Sequence, residues 1–252
     1  MAYLFGTYGE DFLLGTSSND VIYAGEGINI IDAGDGDNTI YSGSGNDEIT
    51  TGSGHDTIYA GEGINIIDAG DGDNTIYSGS GNDEITTGSG HDTIYAGEGI
   101  NIIDAGDGDN LIFSGSGNDE ITTGSGHDTI YAGEGVNTIN TGAGNDIIFS
   151  GSGDDFINAG WGQNTIWLGG GSDTIELEWG GSSEINNFNA AQDKIELGSL
   201  DAAGVKLMGL GNDTLIVMPR LSVLATLKSV DVHTVAAHST SIFGTEMGIY
   251  TA

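Results

Sequence analysis

Tyr59-Ala60-Gly61-Glu62-Gly63-Ile64-Asn65-Ile66-Ile67-Asp68-Ala69-Gly70-Asp71-Gly72-Asp73-Asn74-Thr75-Ile76 is two nine-residue units laid end to end. Each unit reads Gly-x-Gly-x-Asn and places an isoleucine two residues later. Stepping by nine from Ile67 or Ile76 meets isoleucine at every step from Ile22 to Ile175, and Leu13 extends the register backwards. A period this strict belongs to a solenoid, in which every coil repeats one backbone shape. The same block starts at Tyr23 and returns at Tyr95 with Leu111 for threonine, so a larger unit of 36 residues lies inside the smaller one.

Each unit divides into a turn and a strand. Glycine supplies the backbone angles of the turn. The three residues centred on isoleucine make a short strand, with isoleucine inward and its neighbours outward. Two units then make one coil. The expected fold is all-β: a parallel β-roll, a right-handed two-sheet solenoid of 18 residues per coil, with a C-terminal β cap. About nine coils at roughly 4.8 Å each predict a rod of about 45 Å. The roll is expected from about Gly6 to Glu176, as a first domain of residues 1–176. Residues 177–252 form the cap, with strands at Lys194–Leu197, Thr214–Met218 and Ala225–Val230. A solenoid needs such an end, because its last coil exposes apolar surface and unpaired strand edges.

Composition narrows the function. The chain carries 38 acidic residues against four basic ones, a formal charge of −34. The cations Lys194, Lys206, Arg220 and Lys228 all lie in the last quarter, so residues 1–193 hold no internal counter-charge. Such a stretch repels itself until something neutralises it. Nucleic acid and anionic membrane are poor partners for it, and divalent cations are good ones. Cysteine is absent, so no disulfide framework holds the chain. The N-terminal Met-Ala-Tyr-Leu-Phe-Gly lacks the basic and apolar regions of a signal peptide, and no apolar run is long enough to span a bilayer. Extreme acidity also fits a halophile, although here the acids keep fixed repeat positions.

Ser42-Gly43-Ser44-Gly45-Asn46-Asp47-Glu48-Ile49-Thr50 and Thr51-Gly52-Ser53-Gly54-His55-Asp56-Thr57-Ile58-Tyr59 resemble the nonapeptide of the repeats-in-toxin (RTX) family, Gly-Gly-x-Gly-x-Asp-x-U-x with U apolar. The resemblance covers about two thirds of the chain. In the tail, Ile185-Asn186-Asn187-Phe188, Asp193 to Leu197 and Asn212 to Ile216 resemble the family's capping segment, of the serralysin kind. The resemblance implies Ca2+ held between successive turns, by their carbonyls and by the carboxyl side chains between them. It also implies type I secretion with an uncleaved C-terminal signal, hence an extracellular or cell-surface location. Physical chemistry agrees about the ion: calcium takes six to eight hard oxygens in loose geometry.

Two departures from the family pattern stand out. Its first glycine is replaced by Ala, Ser or Thr, as in Ala24, Ser42 and Thr51, which the ligating role of carbonyls makes a change of little consequence. The aspartate position also alternates with asparagine. One edge reads Asp20, Asn38, Asp56, Asn74, Asp92, Asn110, Asp128, Asp146, Asn164; the other reads Asp11, Asn29, Asp47, Asn65, Asp83, Asn101, Asp119, Asn137, Asp155, Asp173. Most sites would pair one Asp with one Asn and bind more weakly. Only Asp128/Asp146 and Asp155/Asp173 supply two carboxylates, so ordering is expected to start near the cap. Asparagine ladders that satisfy turn amides without an ion are the competing reading of the Asn positions.

One outward face carries an aromatic at every coil: Tyr23, Tyr41, Tyr59, Tyr77, Tyr95, Phe113, Tyr131, Phe149 and Trp167. It reads either as a cross-strand ladder that stiffens the sheet or as a docking face for ice, a polysaccharide or another copy of the roll. His55, His91 and His127 recur every 36 residues, too far apart to share one metal ion, and read as turn residues in solvent. No Gly-x-Ser-x-Gly elbow, His-Glu-x-x-His or P-loop occurs. The reading is a secreted, non-catalytic calcium-binding roll that folds on meeting calcium outside the cell. The alternative is a surface-recognition protein whose calcium is structural only.

Overall fold

The computed structural model describes residues 1–200, 202–218 and 222–250; Arg220 lies outside the described residues. Each nonapeptide supplies one short strand, such as Thr57–Tyr59, Ile66–Asp68 and Thr75–Tyr77, and successive strands fall in alternate sheets. Strands pair in parallel at a shift of 18 residues: Ile58 lies between Ile40 and Ile76, and Ile67 between Ile49 and Ile85. The central residue of each strand points inward. Every isoleucine of the two columns from Ile22 to Ile175 is buried, so the core is two facing stacks of one residue per strand. The first sheet carries the aromatic column outward, and the second alternates pairs such as Ile66/Asp68 and Glu84/Thr86.

Close coil stacking explains the glycines. Gly61 and Gly63 sit at φ of 85° and 129°, and a Cβ on either would lie 1.7 Å from Gly43 O or 1.9 Å from Gly45 O. A side chain there meets backbone, which cannot yield.

The ladders run further than the nonapeptide pattern at both ends. Tyr3–Phe5 already pairs with Val21–Tyr23. Past Glu176, Gly181–Asn186 pairs in parallel with Gly162–Trp167, and Lys194–Glu196 with Thr174–Glu176. The inward column steps from Ile166 to Ile185 and from Ile175 to Ile195, so inserted residues hide the period while the geometry persists. Among the described residues, eleven coil strands lie in each sheet, where about nine coils were expected.

The first sheet then continues through Ser222–Leu227, Asp213–Met218 and Lys206–Leu210, the last two antiparallel to their neighbours. The strand expected at Ala225–Val230 is displaced, because Lys228 and Ser229 form a turn held by Asp213. Lys228 Nζ and the Ser229 N–H each lie 2.8 Å from its carboxylate oxygens. Two short helices, Val232–Ala237 and Ser239–Phe243, complete the end, and the second packs on Lys194–Glu196. Among the described residues, no helix is long and apolar enough to cross a membrane.

Candidate metal centres in the stacked turns

The Asp/Asn position lies just before each strand, and its side chain reaches the preceding coil. Along one edge the backbone N–H of Asn38 donates to Asp56 Oδ1 at 2.7 Å, Asp56 to Asn74 at 3.0 Å, Asn74 to Asp92 at 2.8 Å, and Asp92 to Asn110 at 3.0 Å. The other edge repeats this through Asn29, Asp47, Asn65, Asp83, Asn101 and Asp119 at 2.8–3.0 Å. For this bond a carboxylate and a carboxamide are equivalent, since each offers an oxygen to one N–H. That equivalence lets the two residues alternate without disturbing the stack.

The second terminal atom separates them. Asn38 Nδ2 donates to the carbonyls of Gly34 and Gly36 at 3.0 and 2.7 Å, and Asn74 and Asn110 do the same in their own turns. On the other edge Asn29 and Asn101 reach Gly27 O or Gly99 O and also the Ser42 or Ser114 carbonyl of the next coil, while Asn65 reaches Ser78 O. The asparagine amide thus ties turn carbonyls together, as a bound cation would. A carboxylate has no hydrogen to offer them. Oδ2 of Asp47, Asp56, Asp83, Asp92, Asp119, Asp146 and Asp155 is buried without a hydrogen bond of good geometry, although the Ser or Thr hydroxyl of the same turn lies beside each carboxyl and offsets part of its burial.

Electrostatics follow. Burial pushes the carboxyls of Asp47, Asp56, Asp83, Asp92, Asp119 and Asp128 above the usual range. Asp146, Asp155 and Asp173 are pushed up to about 6, by burial first and then by the neighbouring carboxylates of Asp128, Asp173 and Asp193. The first coil is different. Thr16 donates its N–H and hydroxyl to Asp20 Oδ2 at 2.7 and 2.8 Å, and Thr7 donates both to Asp11 Oδ2 at 2.5 and 2.9 Å. Burial works upward on Asp20, but bonds from Ala2 and Thr16 outweigh it and hold its carboxyl below the usual value.

The candidate ligands therefore all fall in two columns, yet they are not equivalent. The sequence reading missed Asp193, which continues the second column: its Oδ1 accepts the Asp173 N–H at 3.1 Å. A step of 20 residues instead of 18 concealed it. Among the described residues, no three His, Cys, Asp or Glu side chains converge on one point. The turn carbonyls and the single carboxylates between them could supply an ion with oxygen ligands. Hard oxygen donors and loose geometry fit calcium.

The aromatic column is a continuous stack. From Tyr23 to Phe149 successive rings are 4.7–5.0 Å apart and within 4° of parallel, and Trp167 follows at 6.3 Å. Phe5, unforeseen from the period, begins it at 5.5 Å from Tyr23. Ring faces are covered by neighbouring rings, leaving edges and hydroxyls to solvent. The histidines form an outer rib: His55 Nδ1 accepts the Asp73 N–H at 2.8 Å, and Asp37 Oδ1 accepts the His55 N–H at 2.9 Å.

Stacked glycine turns with unbonded carboxylate oxygens on both edges make this a parallel β-solenoid whose turns could hold cations. A sequence model of the RTX calcium-binding nonapeptide repeat, in its four-copy form, matches nine overlapping segments that run from residues 5–34 to 140–175. These matches span well over half of the chain, which belongs to the RTX calcium-binding repeat family. A search among curated proteins finds no match.

Proposed function

We propose that the chain is a secreted, non-catalytic RTX protein that orders when calcium enters its Asp turns outside the cell. The observation carrying this reading is the set of seven buried aspartate oxygens without a hydrogen bond, in a stretch, residues 1–193, without one Lys or Arg. An ionised carboxylate buried without a partner is strongly destabilising. Calcium removes that cost and links one coil to the next. Extracellular sites of this type work at about 10⁻⁴–10⁻³ M calcium, so the chain stays unfolded before export and folds after it. Residues 177–252 act as the cap and carry the type I secretion signal. The stacked rings are assigned to stiffening the sheet, because flat faces engaged with one another are not offered to a sugar.

The test is a calcium titration of the full chain by far-ultraviolet circular dichroism, with magnesium and sodium chloride as controls. A cooperative gain of β signal with calcium alone is expected. A chain already folded in chelator, or one that responds equally to sodium chloride, contradicts the reading.

A further inference from the structure

The residue five positions before each Asp or Asn follows its identity. From Asn29 to Asn164 there are sixteen consecutive turns. All eight with Asp have Ser or Thr at that place, as in Ser42/Asp47 and Thr51/Asp56, and all eight with Asn have Ala, as in Ala33/Asn38. Nothing in backbone geometry demands this, since both kinds of turn share one register.

The hydroxyl explains the pairing. It lies beside the carboxylate of its own turn and beside a carbonyl 18 residues on, with one proton for two acceptors. Ser42 and Thr51 give it to Ala60 O and Ala69 O at 2.7 and 2.6 Å, which leaves Asp47 and Asp56 Oδ2 without a donor. Thr123 Oγ1 lies 2.7 Å from Asp128 Oδ2 and 3.1 Å from Thr141 O, and Asp128 is absent from the donorless set. In these turns one hydroxyl proton faces two acceptors; the Ser150/Asp155 turn differs, since Ser150 Oγ itself has no hydrogen-bond partner. In the Ala/Asn turns the amide supplies the missing hydrogens and the methyl group replaces a hydroxyl that has nothing to bond.

We propose that this two-residue code divides the roll into open turns, Ser/Thr with Asp, which take a calcium ion, and closed turns, Ala with Asn, in which the carboxamide stands in for the ion. Both edges of a coil are of one kind through most of the roll: Asp47 and Asp56 share a coil, as do Asn65 and Asn74. Coils with buried carboxylates therefore alternate with coils whose acids, such as Glu62, Asp68, Asp71 and Asp73, are all exposed, and buried carboxylates on one edge stand two coils apart, about 10 Å. The Ser/Thr oxygen belongs to the open site, beside the carboxylate of its own turn. The inference rests on the reading that Asp turns bind calcium.

The experiment counts calcium equivalents on the full chain by equilibrium dialysis and measures urea resistance in chelator. The variant Thr51→Ala/Asp56→Asn/Thr87→Ala/Asp92→Asn closes two turns. It should bind two fewer ions and resist more urea without calcium. Ala69→Thr/Asn74→Asp opens one turn and should bind one more ion, with lower urea resistance in chelator. Wild-type binding with unchanged counts in both variants overturns the code alone. No calcium uptake by the wild type overturns the functional reading and the code with it. The opened variant decides the matter if the closed one fails to fold.

Discussion

The middle of the roll and its cap-proximal end use the same turn under different electrostatic loads. In the middle, Asp56 has Asn38 and Asn74 as its neighbours in the column, and each asparagine ties its own turn. Near the cap, Asp155, Asp173 and Asp193 follow one another directly, joined by N–H bonds of 3.0 and 3.1 Å. The ladder of N–H bonds continues in both regions, through a 20-residue step from Asp173 to Asp193 at the end, but there the column holds three successive carboxylates and no amide. The Asn coils bury no carboxylate, their acids such as Glu62, Asp68, Asp71 and Asp73 being exposed, so the middle is nearer to standing without an ion. The end needs ions most and should bind them first.

The largest effect is expected from Asp155→Asn/Asp173→Asn, which gives the end the pattern of the middle. Removing two buried, poorly paired charges should stabilise the chain in chelator by about 2–5 kcal/mol, read as a higher urea midpoint. With saturating calcium the same variant should be the weaker protein. A lower midpoint in both conditions would erase the distinction between the regions.

Acid should act in the same direction. Asp146, Asp155 and Asp173 fold with carboxyls near 6 against an ordinary 3.8, so the folded chain binds protons that the unfolded chain releases. Stability in chelator should therefore rise as pH falls from 7 through 6 and level off towards 3.8. Circular dichroism across that window checks it, and calcium should flatten the profile. Stability that falls over this range contradicts the burial of these three carboxyls.

Tyr77→Ala interrupts the aromatic stack in the middle. It should cost about 1–2 kcal/mol from lost stacking and burial and leave the calcium count unchanged, by urea titration and dialysis. A lost calcium equivalent would mean that the ladder and the turns are coupled. The smallest effect is expected from Thr123→Val, which removes the donor of Asp128. It should lower stability in chelator by about 1 kcal/mol, whereas Thr87→Val removes the bond to Ala105 O and leaves Asp92 Oδ2 as unbonded as before.

Much of this was legible in the chain itself. The isoleucine period specifies the strands because a two-sheet roll admits one inward residue per strand, and the 18-residue step specifies which side chains stack. The cap was less legible. The steps from Ile166 to Ile185 and from Asp173 to Asp193 break the period while the ladders continue. The turn at Lys228 is held by Asp213, far away in sequence. The pairing of Ser42 with Asp47 and of Ala33 with Asn38 was present in the sequence. It looked inconsequential there because a first position that contributes a carbonyl has no use for its side chain. Only the position of the hydroxyl, between a carboxylate and the next coil's carbonyl, gives that side chain a purpose.

The most direct test of the account is a crystal structure grown with calcium and measured for calcium's anomalous scattering. The account predicts peaks against the carboxylates of Asp47, Asp56, Asp83 and Asp92, strongest along Asp155, Asp173 and Asp193. It predicts none where the amides of Asn38, Asn65 and Asn74 bond to turn carbonyls. Equal peaks at every turn, with asparagine oxygens facing the ions, would contradict it.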